Sequence, residues 1–251
     1  MQKTIVITDL TQMPNPDGVC VVGIDQYNQC IRPILPGDMR REHLYIKGKI
    51  RNKLAIRPMA KVIFNFNKVP IEPPHIEDMG FDPKSIVYEG LCTGTEWEKV
   101  LLDSSFSTVD DIYDGLLQEH RWVEPGANTR SIGTLSQVYN IVVQLTEWSG
   151  KLRYRLLFRD STGFLYDIPI SDLAFRELSY TEVKRRNRSR AIVSQEITSL
   201  LTNADRLYLR LGLARPWVNP NTSKRGCWMQ VTGIYTFPDY LGSKSFADFV
   251  Y

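Results

Sequence analysis

The sequence predicts a mainly β chain, two barrel-like blocks joined by a loop-rich middle with some helix. Three observations predict it. Short β-branched runs broken by Pro, Asn, Asp and Gly fill residues 4–67, and Pro70, Pro73, Pro74 and Pro83 interrupt the stretch after them. Residues 137–235 then carry three strand patterns, one helical pattern and two more strand patterns.

The first block opens with TIVIT (Thr4 to Thr8), GVCVVGI (Gly18 to Ile24) and QCIRPI (Gln29 to Ile34). Tyr27 and Asn28 mark a hairpin turn between the second and third runs. AKVIFNFN (Ala60 to Asn67) alternates apolar and polar residues at its end and reads as a fourth strand. Four strands leave a barrel one short, so the middle must supply a fifth strand or a cap.

The prolines exclude a long helix between residues 70 and 83. Two helical pieces come next, Glu96 to Asp103 and Ser107 to His120. The second has Ser107 or Thr108 as N-cap, Asp110 and Asp111 in its first turn, and Ile112, Leu116 and Leu117 on one face.

The second block is the cleaner of the two. QVYNIVVQLT (Gln137 to Thr146), KLRYRLLF (Lys151 to Phe158) and FLYDIP (Phe164 to Pro169) form a meander through turns at Ser149-Gly150 and Asp160 to Gly163. A helix of roughly twenty residues starts near Ser179 or Thr181, with Val183, Ile192, Val193, Ile197, Leu200 and Leu201 as its apolar side. RLYLRLGL (Arg206 to Leu213) and CWMQVTGIY (Cys227 to Tyr235) complete the order. Three strands, a helix and two strands are the order of the OB fold, a small barrel that takes single strands or oligosaccharides. The expected division is residues 1–130, an elaborated OB-like barrel with the acidic loop and helix segment, and residues 131–251, a second OB-like barrel.

The chain has 251 residues, 43% hydrophobic and 24% charged, the composition of a folded globular protein. No run approaches the roughly 18 apolar residues of a membrane span, and residues 1–11 lack signal-peptide character, so a cytoplasmic location is expected. Cys20, Cys30, Cys92 and Cys227 form no CxxC pair and read as reduced packing thiols. Net charge is +3, with 14 Lys and Arg against 18 Asp and Glu in residues 1–125, and 17 against 10 in residues 126–251. That asymmetry can present a basic face to a polyanion.

Two basic clusters are candidate phosphate contacts. Lys184, Arg185, Arg186, Arg188 and Arg190 put five cations in seven residues of the expected helix; Glu177, Glu182 and Glu196 could equally make this an ordinary solvated face. A helix in that position also tends to plug the barrel end rather than line its binding face. The second cluster runs from Arg32 to Lys68 and includes Arg32, Arg40, Arg41, Lys47, Lys49, Arg51, Lys53 and Arg57, interleaved with His43, Tyr45 and Phe64. Its portion from Pro36 to Pro58 could be a mobile arm, or a loop with scattered surface charge. Tyr154 and Tyr166 on the meander are the stacking candidates, with Trp217 a third, and Arg215 stands beside it; core packing is the competing role for each aromatic.

His75, Glu77 and Asp78 in PHIED (Pro74 to Asp78) are the one constellation that hints at chemistry, although such residues also anchor loops. No Walker loop, GxSxG, GxGxxG or HExxH motif occurs. No catalytic residue, metal ligand or cofactor is assigned.

Several stretches resemble a bacterial family, the dual OB-containing domain: IVITDLT (Ile5 to Thr11), GID (Gly23 to Asp25), CIRP (Cys30 to Pro33), PHIED, LRLGLARP (Leu209 to Pro216) and QVTGIYTFPDYL (Gln230 to Leu241). The resemblance implies two OB barrels in one unit and a nucleic-acid role, in a conflict or defence setting. The reading that results is a non-enzymatic module for RNA or single-stranded DNA, with no membrane association. A protein-interaction subunit of a larger complex is the main alternative, and a metal-dependent nuclease built on His75, Glu77 and Asp78 a third.

Overall fold

The computed structural model describes residues 1–48, 52–220 and 222–250. Its first unit is a closed five-stranded barrel of β1 (Gln2–Gln12), β2 (Val19–Asp25), β3 (Cys30–Ile34), β4 (Ala60–Asn67) and β5 (Asp78–Phe81). β1, β2 and β3 are antiparallel neighbours, β5 runs parallel to β3 and antiparallel to β4, and β4 pairs back onto β1 from Gln2 opposite Asn65 to Val6 opposite Lys61. This is the OB arrangement, and the missing fifth strand comes from the proline-rich middle. Phe64 packs face to face on Phe66 and edge-on to Phe81, with Ile5, Ile7 and Val62 around them. Met39, Leu44 and Ile56, from the connection between β3 and β4, join the same core where many OB barrels place a helix. Asn28 takes a positive φ in the expected hairpin turn.

β6 (Val87–Leu91) extends the sheet beyond β4 and leads into α1 (Gly94–Asp103), which opens with a capping box between Thr93 and Glu96. The expected helix from Ser107 to His120 is cut to one turn, α2 (Val109–Ile112), capped by Thr108. Asp114, Gly115, Glu119 and His120 all have positive φ, which no α-helix accommodates.

The second unit is the less regular one, the reverse of the sequence expectation. β7 (Ile132–Leu135) precedes the meander β8 (Tyr139–Trp148), β9 (Lys151–Arg159) and β10 (Leu165–Pro169), a three-stranded sheet of its own. The expected twenty-residue helix is instead α3 (Leu173–Tyr180), a π-helical turn over Thr181–Arg185, a break with Asn187 at positive φ, and α4 (Arg190–Thr202). Val193, Ile197 and Leu201 face the core, whereas Ile192 and Leu200 are about half exposed. β11 (Arg206–Leu213) and β12 (Arg225–Phe237) pair with each other, and β11 with β7. The meander touches this second sheet at a parallel bridge from Ile170 to Val231, the counterpart of the parallel β3–β5 contact.

In the OB order of β8, β9, β10, helix, β11 and β12, the first and fourth strands, β8 and β11, do not pair, so the unit is a half-barrel. α4 lies along the open edge: Ser194 and Thr198 hydroxyls accept the Leu145 and Val143 backbone N–H groups at 3.1 and 2.9 Å. One helical turn between the hydroxyls, about 6 Å, matches the two-residue step of a strand, about 6.7 Å. One hydrophobic core nonetheless spans the meander, α3, α4 and β11–β12, and it takes in Val109, Ile112 and Val123 from the middle segment.

The two units meet through buried polar groups. Pairing shifts by one residue between Ile7 and Asp9 on β1, and across β11–β12 where Arg210 and Leu211 face Gly233 and Val231. Each bulge leaves an extra threonine, Thr8 and Thr232, and each hydroxyl donates to Asp9, at 2.7 and 2.5 Å. Arg210 Nε donates to the same carboxylate at 2.9 Å and Nη1 to Thr134 at 2.9 Å, with Arg210 and Asp9 essentially without solvent. A second cluster joins Arg32 to Asp78 (3.0 Å) and Ser131 (2.6 Å), Ser131 to both oxygens of Glu77 (2.7 Å each), and Arg215 to Asp78 (2.5 Å). The His75 ring sits 3.3 Å from the Leu213 carbonyl. Asp172 caps α3 through the Ala174 and Phe175 N–H groups and also accepts Ile234 N–H.

Removing Arg210 strands the Asp9 charge in the interior, so Arg210→Met is expected to cost about 3–5 kcal/mol in denaturant unfolding. Burial, reinforced by Arg32 and Arg215, pushes His75 down to about 3. Between its unfolded value near 6.5 and about 3, the unfolded chain binds a proton that the folded one refuses. Stability is therefore lost as pH falls through that window, at up to about 1.4 kcal/mol per pH unit. Burial pushes Asp172 up to about 7, which acts in the opposite sense above pH 4. The readout is thus the difference between wild type and His75→Gln: it should shrink steadily from pH 7 to pH 4, and a constant difference contradicts it.

Candidate nucleic-acid interface

OB barrels bind their ligands on the outer face of strands two and three, flanked by the loops between strands one and two and strands four and five. In the first barrel that face is occupied by the second unit. Arg32, Val22 and Ile24 are buried, and Cys30 lies 3.5 Å from Arg210 Nη2. Arg32 is therefore an internal anchor, not a free cation, and this corrects its expected place on an accessible basic arm.

The remaining cations of that segment are dispersed. Arg41 pairs with Glu177 at 2.7 Å and donates to Gln12 at 2.6 Å. Arg40 and Lys47 are exposed, Lys53 Nζ lies 4.1 Å over the Tyr88 ring, and Arg57 lines a cavity beside α1. Lys49 and Arg51 lie outside the described residues. The described residues on either side are anchored rather than parts of a free arm, since Leu44 and Ile56 are fully buried and a two-residue pairing joins Tyr45 and Ile46 to Lys53 and Leu54.

The cluster from Lys184 to Arg190 straddles the break before α4, and its charges are engaged at home. Lys184 and Arg190 both pair with Glu147, Arg186 and Arg188 with Glu182, and Arg188 also with Glu196. Arg185 donates to the Phe249 carbonyl. Lys184 beside Glu147 holds its carboxyl below the usual range. Glu182 and Glu196 balance the cluster as the sequence allowed, while Glu177 serves Arg41 instead.

On the meander, strand parity decides the outcome. Tyr154, Leu156 and Phe158 point inward, which turns Arg153, Arg155 and Arg159 outward on alternate positions. Tyr154 is 6% exposed with its ring edge-on to Phe175, and burial pushes its hydroxyl up to about 12. Tyr166 is 3% exposed, stacks on Phe158 and donates to Asp160 at 3.3 Å. Neither ring can stack on a base: both are core residues, contrary to expectation.

The outer face carries a different set. Cross-strand rows run Trp148–Lys151, Thr146–Arg153, Gln144–Arg155–Pro169, Val142–Leu157–Asp167 and Tyr139–Arg159–Leu165. Four cations stand on it against Asp167, which takes Arg155 Nε at 2.5 Å. Arg153 lies 5.4 Å from the centre of the Trp148 ring, itself 66% exposed, and Tyr139 is half exposed. The stacking candidates chosen from the sequence lie on the inward parity of this sheet, and the arginines beside them on the outward one. The signal was present in KLRYRLLFR, where burying the tyrosine forces its neighbouring arginines to water.

Trp217, the third stacking candidate, is 44% exposed in the connection between β11 and β12. It begins a ladder with Trp228 and Trp122, at centroid spacings of 6.0 and 5.7 Å. Gly226 makes room for it, since a Cβ there would stand 2.5 Å from the Trp122 ring. Arg215, next in line, is about half exposed while paired with Asp78.

His75, Glu77 and Asp78 are each committed to the interface between the units. Among the described residues, no three His, Cys, Asp or Glu side chains are grouped to hold a metal ion. No helix among them is long and apolar enough to cross a membrane. All four cysteines are free thiols.

A comparison with curated proteins finds no match. The family model of the Dual OB-containing domain matches residues 3–234, which takes in both units, the buried anchors between them and the meander face, and the chain belongs to that family.

Proposed function

We propose that the chain is a non-enzymatic binding module that takes single-stranded nucleic acid, RNA or DNA, on the outer face of the β8–β9–β10 meander. The observation that carries this reading is the outward row of Lys151, Arg153, Arg155 and Arg159 beside Trp148 and Tyr139, in which Arg155 is paired with Asp167 and Arg159 donates to the Gly163 carbonyl, while Lys151 and Arg153 stand exposed. Cations spaced along a strand suit a phosphate backbone, and exposed rings suit stacked bases, without sequence readout. The position agrees with the face that OB barrels use, and in this chain the first barrel's equivalent face is closed. The tryptophan ladder ending at Trp217 would extend the stacking surface. His75, Glu77 and Asp78 act as anchors in this reading, and chemistry on the bound strand has no assigned group. Four free thiols suit the reducing cytoplasm, where such a module would serve a larger bacterial defence or nucleic-acid-processing assembly.

One observation favours a protein partner instead: Val142, Leu157 and Leu165 put apolar surface on the same face. Recovery of the native complex with and without nuclease separates the two. Partners lost with nuclease support the nucleic-acid reading, and partners retained support the adaptor.

The direct test titrates labelled oligouridylate and oligothymidylate of about ten nucleotides across salt. Binding is expected at about 50 mM salt, with a log–log slope of about −2 to −3 for three or four phosphate contacts. Trp148→Ala should weaken it by about 1–3 kcal/mol, and Arg153→Ala should flatten the slope by about 0.7. Arg186→Ala should leave both unchanged, because that guanidinium is held by Glu182. Absence of binding at low salt overturns the assignment.

A further inference from the structure

A cavity of about 340 Å³ opens where the first barrel, α1, α3 and the segment after β12 converge. Its walls are largely apolar, with Met59, Trp97, Tyr235, Phe237 and Phe246 among them. Trp97 meets Tyr235 edge to face at 4.9 Å, so two walls are rigid aromatic surfaces. The volume lies within the range of small-molecule sites.

The polar groups of the lining divide sharply. Asp172 has both oxygens taken by backbone N–H groups, and Asp239 likewise accepts Leu241 N–H at 3.0 Å and Ser243 N–H at 2.6 Å. The two cations are different. The half-buried Arg57 guanidinium has no hydrogen bond or ion pair among the described residues, and the Lys244 ammonium has only the Phe249 ring, 5.9 Å away. Both cations act on Asp248, but that carboxylate is already bound by the Ser245 N–H and hydroxyl, which hold its carboxyl below the usual range with a smaller push from the two cations. A partly buried cation without a partner is costly unless something else supplies the anion.

We propose that this cavity is a binding site for a small, flat apolar molecule with one anionic group, its ring held against Trp97, Tyr235 and Phe237 and its carboxylate or sulfonate met by Arg57 and Lys244. The site is separate from the meander face and does not depend on nucleic-acid binding. Titration of the full chain with 2-naphthoate, followed by calorimetry and by the Trp97 indole resonance, tests it.

Saturable binding that shifts the Trp97 resonance is the expected result. Arg57→Gln should weaken it about tenfold, as the loss of one charge-assisted hydrogen bond requires. Lys244→Gln, at a surface position that does not threaten folding, should weaken it in the same direction, while Arg57→Lys retains most of the affinity. Oligothymidylate should not displace the naphthoate. No saturation up to about 1 mM, or unchanged affinity in both glutamine variants, overturns the proposal.

Discussion

The carboxylate of Asp9 and the guanidinium of Arg210 lie 2.9 Å apart with almost no access to water, and most of the architecture depends on their meeting. A buried charge is tolerable only when paired and hydrogen-bonded, so the two units cannot separate without exposing both groups to a changed environment. The pair is supplied by two β-bulges, one in each unit. Each bulge turns a charged residue toward the other unit and leaves over a threonine that donates to Asp9. The Tyr235 hydroxyl, donating to the Thr8 carbonyl at 2.5 Å, ties the same two bulges together. Burial is the main cause that raises that hydroxyl's pKa.

This arrangement settles which OB surface stays open. The first barrel closes fully and spends its strand-two and strand-three face on the interface, through Arg32, Cys30 and their partners. The second unit leaves its barrel open, with α4 hydroxyls standing in for the absent strand partner, and keeps its meander face clear. A complete barrel with that face covered and a half-barrel with that face exposed are thus two outcomes of one fold. The PHIED segment, which hinted at chemistry, is the second half of the same fastening.

Much of the fold was legible in the sequence. The limits Ala60–Asn67 and Arg206–Leu213 follow from β-branched and alternating runs, and the order of elements in the second half names the OB pattern. Asp78–Phe81 was not legible: four residues among prolines give no period, and only pairing with β3 and β4 makes them a strand. The break at Asn187 was hidden because basic residues on either side are good helix formers. The charge clusters misled for a related reason. Glu147 lies 37 residues before Lys184 and 43 before Arg190, and only the fold brings that counter-charge to them. The meander arginines flank Tyr154 in the sequence, and strand alternation puts the ring and those arginines on opposite faces, so the two could not share one binding surface. The stretches that resemble the family contain Asp9, Arg32, His75, Asp78, Arg210 and Thr232, so that likeness points to the joint between the units more than to a ligand.

The central claim is that the joint closes one OB face and leaves the meander face to bind. Photo-cross-linking of the full chain to oligothymidylate containing 4-thiothymidine, followed by peptide mapping, tests it most directly. Cross-links concentrated between Trp148 and Arg159, with Trp217 as the next site, are the result the account expects. Cross-links confined to residues 184–190 or 40–57, with the meander untouched, would contradict it.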